Sequence, residues 1–131
     1  MWWLFLVTAF MTALQCVLLY AAIAKPPSVG IWLNFVLAVF WIALGLVMPR
    51  IRRSPWIGVR TVWTLSSDEN WAQTHRFAGY AFTIGGIVAL LCTLTAATWT
   101  AATWLATAVI VVSALVPAVQ SYRLARRSKQ A

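Results

Sequence analysis

Residues 2–24 read WWLFLVTAFMTALQCVLLYAAIA, and no charged residue, proline or glycine interrupts them. At about 1.5 Å of rise per residue such a run crosses the ~30 Å hydrocarbon core of a bilayer. Working outward, comparable apolar runs recur at residues 29–48, 74–94 and 98–119. The whole chain of 131 residues is 63% hydrophobic and 9% charged, a composition far from that of a water-soluble domain. The expected fold class is therefore all-α: a polytopic membrane protein, residues 1–131 as one transmembrane domain, with four transmembrane helices as two antiparallel hairpins. A loop over residues 49–73 joins helices two and three, and residues 120–131 form a basic tail.

The breaks between spans follow from residue chemistry. Lys25-Pro26-Pro27-Ser28 stops the first helix, because paired prolines lack backbone donors, and Ser28 is suited to cap the second. Met48-Pro49 ends the second, and a Thr and Ala rich turn around Thr95 to Thr98 separates the last two. Ala22-Ile23-Ala24 resembles a signal-peptidase site. No Lys or Arg precedes the apolar run, however, and the run is longer than a typical signal core, so the first span is read as retained.

Net charge is +8, carried in short clusters between apolar runs rather than over a polar face, which points away from direct nucleic-acid binding. Arg50, Arg52, Arg53, Arg60 and Arg76 lie in or beside the central loop, and Arg123, Arg126, Arg127 and Lys129 in the tail. Lys25 stands alone on the other side. The positive-inside rule then places the loop and both termini in the cytoplasm, an arrangement that itself requires an even number of spans. The tail cations are placed to attract anionic lipid, with a regulatory protein as the alternative partner. Cys16 and Cys92 have no neighbouring Cys or His at ligand spacing and read as packing residues, so no metal, cofactor or disulfide is expected.

The central stretch, residues 56–79, reads WIGVRTVWTLSSDENWAQTHRFAG and concentrates charge, hydroxyls and indoles. Ser66-Ser67-Asp68-Glu69 fits a capping box, with Ser66 capping and Glu69 reaching back, so helix three should start there and protrude about two turns from the membrane. Arg60 is expected to pair with Asp68 or Glu69. Trp56, Trp63 and Trp71, with Arg60 and Arg76, suit headgroup depth, and an interfacial anchor accounts for them. Anchoring alone does not require Gly58, Thr61, Thr64 and a helix cap at fixed places.

Ile57-Gly58-Val59-Arg60-Thr61, then Trp63-Thr64-Leu65-Ser66, then Trp71 and Thr74-His75-Arg76 with Gly79, resembles the signature of the SdpI family of small bacterial multi-pass membrane proteins. The resemblance implies residence in the bacterial cell membrane and immunity to a secreted peptide toxin, or membrane signalling by holding a cytoplasmic transcriptional regulator. It marks Gly58, Arg60, Thr61, Trp71, His75 and Arg76 as signature residues. With Trp63, Ser66 and Glu69 they form the expected partner-binding loop, with no catalytic group. A small four-helix transporter is the alternative, although no span carries an ionisable residue at mid-depth, where coupling sites lie. An interfacial membrane enzyme built on Asp68, Glu69 and His75 is the second alternative. His75 can also titrate near neutral pH and act as a sensor.

Two packing expectations complete the reading. Gln15 and Asn34 fall at similar depth in the first hairpin and are candidates for an interhelical amide bond. Ala81, Gly85 and Ala89 recur every fourth residue on helix three, a small-residue stripe that should face helix four at Ala102 and Ala106. Pro117 should bend helix four and bring the tail toward the loop, making one face of the two.

Overall fold

The computed structural model describes residues 2–24, 29–54, 58–95 and 98–128. The expected breaks at Lys25 to Ser28 and at Ala96-Ala97, together with Trp56, Ile57 and Lys129, lie outside the described residues. Helix α1 runs over Trp2–Ala24 and α2 over Val29–Val47, followed by a 3-10 turn at Met48–Arg50. A short α3, Val62–Ser66, precedes α4, Asp68–Thr95, and α5, Trp99–Ser128. Four of these helices are long and apolar enough to cross a membrane.

The 3-10 turn is the local answer to Pro49. Proline is tolerated in a first turn but cannot donate further along a helix, and the chain leaves through an Ile51 N–H bond to the Met48 carbonyl at 3.2 Å. Helix α4 begins at Asp68, six residues before the apolar run at Thr74, so its first turns extend beyond the apolar span as expected. Its cap is Ser67, not Ser66. The Asn70 amide donates to Ser67 Oγ at 3.3 Å and the Trp71 amide to the Ser67 carbonyl, whereas Ser66 ends α3 and its hydroxyl donates to the Trp63 carbonyl. Glu69 holds Gln73 at 3.0 Å, one turn on, instead of reaching back. The capping box of this region lies earlier, between Thr61 and Thr64 at the start of α3.

Helix α4 is the centre of the bundle, packed on α2 along one side and on α5 along another, while α1 touches α2 alone among the described elements. Small residues make this possible. A methyl group at Gly45 would meet the backbone and side chain of Thr83, one at Gly86 would fall 2.9 Å from the Ala38 carbonyl, and one at Gly85 would fall 2.7 Å from Ser113 Cβ. Gly85 and Ala89 are buried as the stripe predicted, and Ala89 shares a core with Ala106 of α5 and Ala38 of α2. Closer to the loop, Met48, Ala78 and Phe82 form a second core with Trp41 beside it.

Polar bonds cross the same interfaces. Asn34 donates to Thr103 Oγ1 at 3.1 Å, and the Trp41 indole to Ser113 Oγ at 2.8 Å. Asn34 therefore pairs with α5, not with Gln15, which is exposed on the outer face of α1. Helix α1 meets α2 through another face, where Phe10 stacks on Phe40 with ring centroids 3.8 Å apart.

Candidate functional site

The loop end of the bundle is held by buried polar residues of α4. Trp71 and His75, one turn apart, stack with ring centroids 3.9 Å apart and are 3% and 1% exposed. The Trp71 indole donates to the Ile51 carbonyl at 2.9 Å, which fixes the chain leaving the 3-10 turn. His75 fixes the chain further along. Its Nδ1 lies 2.9 Å from the Trp71 carbonyl, and its Nε2 accepts from the Val59 amide at 3.0 Å. A carbonyl only accepts and an amide only donates, so the ring is the neutral tautomer with its proton on Nδ1.

Gly58 makes that approach possible. Its φ of 115° lies in the region that side chains disfavour, and an added methyl would overlap His75 Nε2 and sit 3.0 Å from the Trp71 ring. Here the glycine is needed twice, for backbone conformation and for room.

Thr61 and Thr64 then turn the chain into α3. Thr64, fully buried, accepts from the Thr61 amide at 2.9 Å and donates to the Val59 carbonyl at 2.8 Å, while Thr61 Oγ1 accepts from the Thr64 amide at 3.1 Å. Thr61 also reaches α5, with its hydroxyl 3.0 Å from Ser121 Oγ. Asn70 donates to the Ser121 carbonyl at 3.1 Å and accepts from Thr74. Ser121 is thus the point where loop, α4 and α5 are tied together. Among the described residues no buried side-chain polar atom lacks a partner.

Over this buried layer lies an exposed one. Arg60, Trp63, Ser66, Glu69 and Arg76 are on the surface, and Trp63 meets Tyr122 of α5 edge to face at 5.0 Å, with Arg126 above the Tyr122 ring. A groove of about 320 Å³ between α3, the start of α4 and the end of α5 is lined by Trp63, Ser66, Glu69, Gln73 and Leu124. Arg60 does not pair with either acid. Arg53 does, its Nε 2.9 Å from Asp68 Oδ1. Arg53 also donates to the Leu65 carbonyl of α3 at 3.5 Å, so residue 53 lies beside the junction of α3 and α4.

Of the expected site residues, Gly58, Thr61, Trp71 and His75 form the fastening, the last two buried and the first two half-buried, and Arg60, Trp63, Ser66, Glu69 and Arg76 remain outside it. Thr64, Asn70, Thr74 and Ser121 carry as much of the bonding and were not singled out as site residues. The T-x-x-T spacing of Thr61 and Thr64 and the i, i+4 spacing of Asn70 and Thr74 were visible signals; the role of Ser121 had none nearby in sequence.

Four apolar helices and a loop fastened to two of them describe a multi-pass helical membrane protein with one structured loop end. The chain belongs to the SdpI/YfhL protein family, whose model matches residues 50–121, more than half its length. That match begins in the 3-10 turn and ends on Ser121, so it spans the fastening from its first residue to its last. No curated protein and no solved structure matches the chain.

Proposed function

We propose that the protein gives a bacterial cell immunity to a membrane-active peptide toxin and presents the loop and tail as the face that reads toxin or regulator. The loop and both termini would lie in the cytoplasm, as the loop and tail arginines favour. The observation that carries the reading is that Gly58, Thr61, Trp71 and His75 of the SdpI signature converge on one fastening, while Arg60, Trp63 and Glu69 stay at the surface, Trp63 against Tyr122. A binding surface of this kind needs rigid support and exposed anchors, with no catalytic step and no cofactor. Tryptophan, tyrosine and arginine are the side chains that most often serve as such anchors.

The test is survival of a toxin-sensitive bacterial host expressing the chain, challenged with the peptide toxin to which an SdpI protein gives immunity. The wild-type chain should protect. Arg60→Ala should remove protection while membrane abundance stays normal, because Arg60 has no partner among the described residues and its loss leaves the fold intact. Unchanged survival of that variant would count against the loop as the reading face.

A further inference from the structure

Where α4 packs on α2, a second groove of about 480 Å³ runs between the two helices. Its floor is the close contact of Gly45 with Gly79, where a methyl on Gly79 would fall 2.8 Å from the Pro49 ring and 2.9 Å from the Gly45 carbonyl. Its walls have a direction. Arg76, Tyr80 and Ile84 follow one another every fourth residue on α4, and Arg50 and Leu46 are one turn apart on the other wall. Both guanidinium groups are therefore at the loop end, and both aliphatic side chains are deeper, about 12 Å along α4 from Arg76 to Ile84.

Charge at the mouth of this groove is uncompensated. The chain has ten Lys and Arg residues against two acids. Asp68 is taken by Arg53, and Glu69 is engaged by Gln73. Arg50 donates to the Leu46 carbonyl at 2.8 Å, a bond that orients its guanidinium without neutralising it, and Arg76 has no partner among the described residues. Among the described residues no carboxylate pairs with either arginine.

We propose that this groove is a binding site for one anionic glycerophospholipid, with the phosphate between Arg50 and Arg76 and an acyl chain along Tyr80, Leu46 and Ile84. The order of chemistry along the groove is the order along a lipid, with cations at headgroup depth and hydrocarbon below. Guanidinium groups match phosphate oxygens in geometry as well as charge. Two cations with no acid beside them disfavour a headgroup that carries its own ammonium, which selects an anionic lipid over a zwitterionic one. The assignment does not depend on the immunity reading, since it rests on Arg50, Arg76 and the contact of α2 with α4 and not on Arg60, Trp63 or Glu69.

Native mass spectrometry of the purified full-length chain, titrated in detergent with phosphatidylglycerol, phosphatidylcholine or inorganic phosphate, tests it. One phosphatidylglycerol should be retained about tenfold more strongly than phosphatidylcholine, and phosphate should not displace it. The double variant Arg50→Gln with Arg76→Gln should lose about tenfold in retention, while Arg52→Gln with Arg60→Gln, the same charge change outside the groove, should retain lipid as the wild type does. Equal retention of the two lipids by the wild-type chain would overturn the site, whatever the variants do. Equal loss in both double variants would reduce it to general surface charge, and displacement by phosphate would make it a free-anion site; either result also overturns the proposal.

Discussion

His75 shows how much one side chain can fix. Its two nitrogens bond in opposite senses, donating to Trp71 and accepting from Val59, so a substitution can separate shape from bonding. His75→Phe preserves a ring against Trp71 but leaves the Val59 amide without its acceptor, at a cost of about 1–3 kcal/mol. Amide exchange at residues 58–61 should accelerate while helical content by circular dichroism is unchanged; unaltered exchange would mean that the histidine only fills space. Gly58→Ala should be at least as damaging, because a positive φ and an overlap with His75 act together, and a loss of about 1–3 kcal/mol is expected in loop or whole-protein stability. At this scale the sequence was partly legible. Gly58, Thr61, Trp71 and His75 stand out as unusual residues in an apolar chain. The cap fell on Ser67 rather than Ser66, because adjacent serines satisfy the same local pattern and only the path of α3 distinguishes them. Arg60 and Arg53 were likewise interchangeable by charge, and only the folded path, which sets Arg53 against Asp68 and the Leu65 carbonyl, separates them.

Among the elements, α4 is distinguished by contact on two sides. Its glycines divide the work: Gly79 and Gly86 admit α2, and Gly85 admits α5. Gly85→Leu must push a branched side chain against Ser113, so it should lower the melting temperature clearly, by about 1–3 kcal/mol or more in stability terms. Val88→Leu, on an exposed face of the same helix, should change it little. Equal melting temperatures for the two variants would place Gly85 against lipid and refute the packing. Hydropathy marked the four helices that are long and apolar enough to cross a membrane, since a run of apolar residues needs no partner to declare itself. Partners are another matter. The stripe through Gly85 and Ala89 identified α5, yet the equal claim of α2 depends on Gly45 and Ala38, whose spacing in a uniformly apolar helix carries no period that separates them from lipid-facing neighbours.

For the molecule as a whole, Ser121 joins parts that hydropathy treats as unrelated, bonding Thr61 through its hydroxyl and Asn70 through its carbonyl. Ser121→Ala removes the first bond and spares the second, a loss of about 0.5–1.5 kcal/mol. Truncation after Gln120 removes both, and trypsin should then cut at Arg52, Arg53 or Arg60 well before it does so in the full chain; equal cleavage rates would show that the loop is held without α5. The same bond has a consequence in time. Asn70 and Ser121 are separated by 51 residues, and a ribosome adds that length in about 3 to 10 s. Throughout that interval the nascent chain has its loop with Arg50, Arg52, Arg53 and Arg60, and once Thr95 is added its central helix, but not the carbonyl that closes them. A stalled or prematurely ended product therefore differs from a finished one at the loop, and a membrane protease could tell them apart there without sensing the missing end itself.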